Sequence, residues 1–499
     1  MGNGSKVSNG KNGLNGSNGG NGSNGSSIFA EVPQSQLKKW PLFTIIISAL
    51  LIQINNLMFG YNLRLMTDLR TFIPAVLIAN AILCVLFYLS GRVGVQWRLP
   101  AATLYGRIFG KLGSKFIMLL ILPTGLIWIG WMTEMVARSL QGLYPALNYG
   151  LVIVVIIGLS VLSSIKELKG MELSSKVQVP IVALVIIAAS IRILAAGAAN
   201  AVPEALPSEK LNLAKSISYV MLTWMSFLPF YADYTRFVRT KKDLAISTGI
   251  GWVIVYSLVF IAGGLFAGCG GVGVNGVGGV GGVDGGMGGA SAGAAGAFDL
   301  IKILGSIGIP AIVAALIMLL CTWTFNDRSL YSYGIVINFI TGRERYRSLF
   351  IVLGGVVAIV CAWFGVNDRV LTVLDWIGRI FVPLLAVFAY YFYFKCCRPA
   401  PVPVCDEAGA ASAGEGGSGG GTGTGKGEDN GSCDGGRSTG VGDGTAAQAP
   451  AHEHLFNYQP FVAWLLGVLV SCIAESKLLL AFGISLVAYA LLDKFGVRR

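Results

Sequence analysis

The first apolar stretch of the chain, residues 40–63, reads WPLFTIIISALLIQINNLMFGYNL and ends just before Arg64. A helix that crosses a bilayer needs roughly 20 mostly apolar residues, and this stretch is long enough. Its middle nevertheless carries Gln53, Asn55 and Asn56, followed by Gly60. Polar side chains are costly in hydrocarbon, so their presence inside a span indicates a functional site. The stretch therefore predicts a transmembrane helix whose centre is functional.

The whole chain has the composition of a membrane protein. Only 12% of its 499 residues are charged, 54% are hydrophobic, and the mean hydropathy is +0.68. A soluble globular protein carries about 25% charged residues, so this chain could not cover a water-facing surface. Hydropathy, divided by glycine, proline and charge clusters, predicts an all-α integral membrane protein of twelve spans. Their limits are 40–63, 72–93, 114–143, 149–166, 175–199, 214–235, 243–268, 306–333, 347–366, 369–395, 457–474 and 477–494.

Lysine and arginine determine the predicted orientation. Most of the 37 basic residues fall on one side of the spans, in segments such as 92–115, 166–176 and 236–242. Cytoplasmic segments are the ones enriched in Lys and Arg, so both termini are predicted to be cytoplasmic, in the plasma membrane. The net charge of +12 is then an orientation signal. No nucleic-acid partner is expected, the lipid bilayer is the expected surrounding, and no obligate protein partner is implied.

A second interrupted helix is predicted in the sixth span, where Pro229 lies near the middle. Proline removes a helical hydrogen bond and frees a carbonyl group. Two interrupted helices five spans apart are typical of a five-plus-five inverted repeat, in which the breaks meet at the bilayer midplane and bind a solute or an ion. Taken alone, each break is better explained as a packing kink, but together they favour a site.

The third span adds two indoles and a charged pair. Trp128, Trp131, Glu134 and Arg138 are spaced three, three and four, so they share one helical face. Glu134 and Arg138 can form an ion pair within the membrane. A purely structural pair and a role in a binding site are equally well supported.

The sixth and eighth spans complete a candidate slot for a flat ring. Indole faces at Trp131 and Trp224 favour stacking against such a ring, and base–aromatic stacking contributes about 1–3 kcal/mol per base. Asn326 offers a donor and an acceptor, and Asp327 accepts from ring N–H or amino groups. The weaker candidates for the same pocket are Gln53, Asn56 and Ser226.

The composition also divides the chain into parts. The beginning is rich in Gly, Asn and Ser and predicts a disordered tail, and two Gly-rich segments predict flexible connections. No metal site or cofactor is expected, since the only histidines, His452 and His454, are two lone imidazoles in a linker. The predicted parts are a tail at 1–37, a ten-helix core at 38–395 with repeats 40–199 and 214–395 and an outer loop 268–296, a cytoplasmic linker at 396–456, and two terminal helices within 457–499.

Several motifs, taken in their order and spacing, resemble those of the nucleobase–cation symporters, nearest the cytosine/purine permease branch. The likeness covers residues 40–494 without the two Gly-rich segments. The strongest matches are ADYTRF at 232–237, WTFNDRSLY at 323–331 and NFITG at 338–342; the weaker ones are LYGRIFG at 104–110, GW at 130–131 and LKGMELSSKVQVP at 168–180.

The resemblance implies a leucine-transporter-like fold of ten core helices plus two C-terminal helices, working by alternating access. It implies that the base lies between an aromatic residue of the third span and one of the sixth, at Trp131 and Trp224 here. It also implies an eighth-span contact to the edge of the base at Asn326, with Asp327 beside it.

The chain departs from this family at positions that affect specificity and coupling. Trp128 stands where the cytosine permeases have a glutamine, and Glu134 stands where a small residue is usual, so the resemblance leaves the identity of the base open. The family's sodium site uses carbonyls of the first span and hydroxyls of the eighth, for which Thr322 and Thr324 are the candidates. A proton, carried by Glu134 or Asp327, is the alternative coupling ion.

The expected function is therefore import of a nucleobase or related planar heterocycle, coupled to Na⁺ or H⁺. An amino-acid permease of the same fold and a receptor that no longer transports are the alternatives. A membrane-embedded enzyme is disfavoured, because no histidine lies in any predicted span and no HExxH motif occurs.

Overall fold

The computed structural model describes residues 29, 31–165, 167–197, 210–268, 298–365, 370–396, 455–473 and 478–495. Within these ranges the chain is helical, and no β-strand occurs beyond one isolated bridge between Lys38 and Val238. The main helices are α1 (Trp40–Leu51), α2 (Ile54–Leu65), α3 (Leu69–Trp97), α4 (Ala101–Leu143), α5 (Tyr149–Ser164), α6 (Glu167–Ala195), α7 (Leu213–Met225), α8 (Tyr231–Thr235), α9 (Lys241–Phe266), α10 (Leu300–Ser306), α11 (Ala311–Thr341), α12 (Arg347–Trp363), α13 (Val370–Tyr390), α14 (Tyr458–Ile473) and α15 (Leu478–Phe495).

The lengths and surfaces of these helices confirm the all-α membrane class. Six described helices are long and apolar enough to cross a bilayer, and α1 with α2 form a seventh span as a bent pair. The helices α5, α12 and α14 are shorter but also apolar. Leu151, Leu162 and Leu184 remain 62%, 64% and 69% exposed on the outside of the bundle. Exposed apolar patches of this kind mark a surface that faces lipid.

The first span is interrupted where its polar residues lie. α1 ends at Leu51, and α2 begins at Ile54 after a bend of 55°. Between them, Ile52 has φ −83° and ψ 73°, and Gln53 has φ −127° and ψ 153°, so neither residue is helical. The carbonyls before the break therefore lose their usual helical donors. The predicted discontinuity is confirmed.

The sixth span is interrupted at its proline. α7 ends at Met225, a 3₁₀ turn of Leu228–Phe230 contains Pro229, and the short α8 completes the span. Proline cannot donate a backbone hydrogen bond, so the regular helical ladder cannot pass through this position. The first and sixth spans are thus both broken, as a five-plus-five repeat requires.

Three helix starts differ from the prediction by five residues or more, and one of them is α6, which was predicted from residue 175 and begins at Glu167. The third span was predicted to begin at residue 114, but α4 begins at Ala101 and contains a joint at Gly110, which has φ 77° and ψ 179°. The eighth span was predicted to begin at residue 306, but α11 begins at Ala311, because the separate helix α10 precedes it and Gly308 turns the chain at φ 78°. Both joints use glycine in a conformation that side chains disfavour, and hydropathy does not detect this.

The helix α11 lies at the centre of the bundle, where it packs against α4, α5, α6 and α12. The helices α2 and α9 pack closely on each other, and α2 also contacts α11. The breaks of the first and sixth spans therefore lie near α4 and α11, which carry the predicted indoles and the Asn326–Asp327 pair. These four spans line one cavity.

The predicted Gly-rich segments lie largely outside the described residues, which omit 269–297 and 397–454. The last residues of the predicted tail do have defined structure. Gln34–Gln36 form a 3₁₀ turn, and the Val32 N–H donates to the Arg98 carbonyl at 3.3 Å. The predicted disorder of the tail is therefore wrong for residues 31–37, because this segment is held against the end of α3.

Candidate solute-binding site

A cavity lies where the two breaks meet α4 and α11. It encloses about 700 Å³, counting the part that opens outwards. Its aromatic walls come from three spans: Trp128 on α4, Trp224 and Phe227 at the end of α7, and Phe325 on α11. Its polar groups come from the same region: Asn55, Thr124, Thr223, Ser226, Tyr234, Arg328, Ser329 and Ser332. Ligand pockets are typically apolar with a few placed polar groups, and this cavity has that character.

Trp224 is held firmly at the cavity wall. It is 4% exposed, and its ring packs edge-to-face on Trp252 at 5.2 Å and on Phe227 at 5.5 Å between ring centroids. Tyr256 packs on it at 6.0 Å, and the Tyr256 hydroxyl lies 2.7 Å from the Thr223 hydroxyl. Edge-to-face contacts fix an aromatic ring in orientation as well as position. The indole is thus preorganised at the break of the sixth span.

The two indoles of α4 occupy different places. Trp128 lines the cavity, whereas Trp131 is fully buried and is not among the lining residues. Trp131 packs on Trp128 at 5.1 Å and on Phe59 at 5.9 Å between ring centroids. The structure therefore brings Trp128 and Trp224 to one cavity and places Trp131 behind Trp128. The stacking role of Trp131 stays a prediction.

Asn326 and Asp327 are buried beside the cavity without lining it. Asn326 Nδ2 donates to Thr133 Oγ1 at 2.9 Å, which joins α11 to α4. Its Oδ1, and both carboxylate oxygens of Asp327, make no hydrogen bond to any described residue. The Ser163 hydroxyl on α5 lies 3.0 Å from the Ser160 carbonyl, and it is also the neighbouring group able to donate to Asp327. Three buried acceptors at this position lack donors.

Arg328 is the main lining residue that the sequence analysis did not select. It is 1% exposed, and its guanidinium donates to the Thr324 carbonyl, to Ser175 Oγ and, at 3.4 Å, to the Met171 carbonyl. Its own carbonyl accepts from the Tyr234 hydroxyl at 3.1 Å. A buried cation that is held by hydrogen bonds makes this side of the cavity electropositive.

Helical spacing could have found this set of residues. Phe325, Arg328, Ser329, Ser332 and Val336 line the cavity and recur at intervals of three and four. That spacing puts them on one face of α11. Asn326 and Asp327, which follow Phe325 in the chain, lie on a different face of the helix. Choosing polar residues by type, without their helical phase, missed this face.

Gln53 and Asn56, the weaker candidates of the first span, hydrogen-bond to backbone carbonyls at its break. Gln53 Nε2 donates to the Ala49 carbonyl at 2.6 Å, and Asn56 Nδ2 donates to the Leu51 carbonyl at 2.8 Å. Neither side chain lines the cavity, whereas Ser226, at the end of α7, does. The amides therefore supply donors to carbonyls that the interrupted helix leaves open.

The candidate cation ligands of the eighth span are both buried. Thr324 Oγ1 lies 3.0 Å and 2.9 Å from the carbonyls of Leu320 and Cys321, to which it donates, and 3.4 Å from Gln53 Nε2. Thr322 Oγ1 makes no hydrogen bond within the described part of the chain. The two hydroxyls thus have different surroundings and do not converge on one point in these contacts.

The charged pair predicted within the third span is present. Arg138 Nε lies 2.8 Å from Glu134 Oε1, with the carboxylate buried and the arginine 61% exposed. Arg379 and Asp375 form a similar pair at 2.7 Å. Glu134 is not among the residues that line the cavity. Its role in solute binding stays a prediction.

Comparison with known proteins identifies the family. Residues 31–398 match the model of permeases for cytosine/purines, uracil, thiamine and allantoin. The chain belongs to this family. Its relatives include the cytosine permease of Escherichia coli K12, which is 25% identical over 340 residues that cover 68% of this permease and 74% of the relative. The predicted resemblance is confirmed, and the protein is a multi-pass membrane transporter and not an enzyme.

Solved structures show the same fold. The nucleobase-cation-symport-1 transporter Mhp1, closed with bromovinylhydantoin bound, superposes with a TM-score of 0.67 at 14% identity, covering 95% of this permease and 97% of Mhp1. A substrate-bound, outward-open Na⁺-coupled sialic acid symporter gives a TM-score of 0.63 at 11% identity, with coverage of 93% and 91%. The predicted fold class, with ten core helices and two more, is confirmed by this likeness.

Proposed function

We propose that this permease imports a nucleobase or a related planar heterocycle across the plasma membrane by symport with Na⁺ or H⁺. The observation that carries the proposal is the aromatic-walled cavity at the junction of two broken helices. Its wall residues Trp128, Trp224, Phe227 and Phe325 offer aromatic rings on which a flat ring can stack. Stacking on such rings contributes about 1–3 kcal/mol per base and requires only a π-face. Hydrogen bonds to the ring edges would then distinguish similar bases.

The buried acceptors beside the cavity support the edge contacts. Asn326 Oδ1 and both carboxylate oxygens of Asp327 are buried acceptors of α11 that have no donor among the described residues. A heterocycle with ring N–H or amino groups would supply one, since these groups donate and carboxylates only accept. These two side chains do not line the cavity, so reading of the ring edge requires them to turn towards the ring, and that contact would satisfy buried groups that are costly to leave unpaired.

An amino acid is a poorer candidate for the same site. Its carboxylate would need a free cationic or N–H donor, and Arg328 is the buried cation that lines the cavity. The Arg328 guanidinium is already engaged by Thr324, Ser175 and Met171. Only the Nε–H of Arg328 has no partner among the described residues, so a carboxylate that bound both nitrogens of one edge of the guanidinium would displace some of these contacts, whereas a stacked ring would displace none.

Alternating access is supported by the unequal ends of the cavity. Between ring centroids, Phe59 lies 5.9 Å from Trp131, 6.4 Å from Trp128 and 6.2 Å from Tyr219. We take this aromatic cluster to close one end of the cavity. Towards the other end the lining continues past Tyr234 to Val336. With cytoplasmic termini, as proposed from the basic residues, the continuing end faces the cytoplasm. The closed end would open to the outside in the other state of the cycle.

Uptake by reconstituted vesicles tests the proposed function. Labelled cytosine, hypoxanthine, uracil, allantoin and leucine are offered separately under an imposed Na⁺ gradient, an imposed H⁺ gradient or neither. At least one heterocycle should accumulate above its external concentration, and collapse of the driving gradient should release it. Accumulation of leucine without any heterocycle would replace this proposal by that of an amino-acid permease.

The two indoles of α4 should differ when each is replaced by alanine. Trp128→Ala removes a cavity wall and should weaken heterocycle binding by the about 1–3 kcal/mol of one stacking contact. Trp131→Ala removes a fully buried ring and should chiefly lower the free energy of unfolding, by about 3–5 kcal/mol. Binding isotherms and thermal melts of both purified variants separate the two effects. Lost binding with an unchanged melt in Trp131→Ala would instead place that indole in the ring slot.

A further inference from the structure

The break of the first span is filled by side-chain amides. Three carbonyls near the break each accept a hydrogen bond from an amide nitrogen. Gln53 Nε2 donates to Ala49 at 2.6 Å and Asn56 Nδ2 to Leu51 at 2.8 Å, both from the same span. The third comes from another helix, since Gln178 Nε2 on α6 donates to the Ile52 carbonyl at 2.7 Å.

Gln178 reaches the break from a fully buried position between α6, α1 and α11. It is 0% exposed, and its Nε2 also lies 3.6 Å from the sulfur of Cys321 on α11. That sulfur lies 3.6 Å from the same Ile52 carbonyl. A carbonyl oxygen only accepts, so the nitrogen of the amide, and not its oxygen, must face it. The amide N–H is therefore a fixed partial positive charge at the break.

This environment does not suit a sodium ion. Hard cations are bound by several converging oxygens and not by N–H groups or sulfur. Here the carbonyls of Ala49, Leu51 and Ile52 face N–H donors, and the neighbouring residue of α11 is Cys321. Each of these three carbonyls already accepts a hydrogen bond from an amide, so an ion bound by them would have to compete with an N–H donor at every one.

We propose that the Gln178 amide takes the place of a coupling cation at the first break, so that this permease binds no sodium there and transports without it. The proposal rests on the proposed function, in which an ion gradient drives uptake, and it leaves the proton as the driving ion. Gln178 is thus a positioning residue that holds the broken helix in the shape that a bound cation would otherwise maintain.

Sodium binding by the purified permease tests the proposal independently of any solute. Thermal melts in NaCl, KCl and choline chloride of equal ionic strength should coincide. A rise in Tm that is specific to sodium and saturates with its concentration would overturn the proposal, because a ligand that binds only the folded state stabilises it. The Tm measurement reports sodium binding even if the vesicles accumulate no heterocycle. Failure of this proposal can therefore be distinguished from failure of the proposed function.

Uptake under a proton gradient provides the second test. Replacing sodium by choline on both sides of the vesicle should leave the initial rate unchanged. If sodium were coupled, its removal would weaken solute binding by about 5- to 150-fold, the usual range of coupling between two sites. A loss of that size would contradict the proposal.

Two substitutions test the amide itself, with Gln459→Glu on α14 as the matched control. Gln178→Glu exchanges the donor for a carboxylate beside the Ile52 carbonyl, and it should create the sodium-specific rise in Tm that the wild type lacks. Gln178→Ala removes the donor and should lower Tm in all three salts, while Gln459→Glu should behave as the wild type. A Gln178→Glu variant that still ignores sodium, or a Gln178→Ala variant that melts as the wild type, would show that this amide does not replace the ion.

Discussion

Replacing Trp224 by alanine should abolish detectable heterocycle binding while leaving a folded, membrane-inserted permease. The indole lines the cavity at the break of the sixth span, next to the smaller ring of Phe227. Loss of one stacking partner costs about 1–3 kcal/mol, which weakens binding by about 5- to 150-fold. Loss of the edge contacts that the ring orients would add to this. Equilibrium binding of a labelled heterocycle to purified protein measures the effect.

Stability must be measured in the same sample. Trp224 also packs on Trp252 and Phe227, so its removal lowers the free energy of unfolding by about 3–5 kcal/mol, as for other buried aromatic residues. Trp224→Phe keeps a π-face and should retain most of the affinity. Trp363→Ala, on a lipid-facing residue that is 63% exposed, is the matched control. Wild-type affinity in Trp224→Ala would refute the stacking slot.

Replacing Gly60 by valine should prevent the accumulation of folded permease. A Cβ atom at Gly60 would lie 2.0 Å from the carbonyl oxygen of Phe260, and one at Gly263 would lie 2.1 Å from the carbonyl oxygen of Leu57. The two glycines therefore let α2 and α9 approach backbone to backbone, as small residues do in membrane helix pairs. Backbone cannot move aside as a side chain can, so the cost should exceed the about 1–3 kcal/mol typical of an overpacked core.

The yield of monodisperse protein after extraction in mild detergent measures this effect. Gly158→Val on α5 is the matched control, because no neighbouring atom lies within 4 Å of a Cβ placed at that glycine. Both substitutions exchange glycine for the same β-branched residue in a helix, so helix propensity changes equally. A Gly60→Val permease that is extracted and melts like Gly158→Val would mean that α2 and α9 are farther apart than described.

The close pairing of α2 and α9 also bears on the site. The broken first span cannot hold its second half by helical hydrogen bonds across Ile52 and Gln53. Contact with α9 supplies that support, and α9 also carries Trp252 and Tyr256, which fix Trp224. One helix thus positions both the half-helix after the first break and the indole at the second.

Much of the fold could be predicted from the sequence because its signals are local. Apolar length and basic flanks predicted the spans, and the polar centre of the first span and Pro229 of the sixth predicted both breaks. The pair Glu134–Arg138 followed from an i, i+4 spacing and is present. Such features depend on residues within one or two helical turns, which the chain order alone brings together.

The make-up of the cavity was decided by tertiary structure. Trp128 and Trp131 are equally suited to stack a ring, and only the rotation of α4 against its neighbours puts Trp128 at the cavity and Trp131 behind it. The same holds for Arg328, and for Gln178, which meets a carbonyl 126 positions away in the chain. The rotation of a helix about its axis is set by packing over its whole length, and hydropathy within one span carries little information about it. The sequence by itself thus determined which segments cross the membrane and where two of them break, whereas packing determined which side chains meet there.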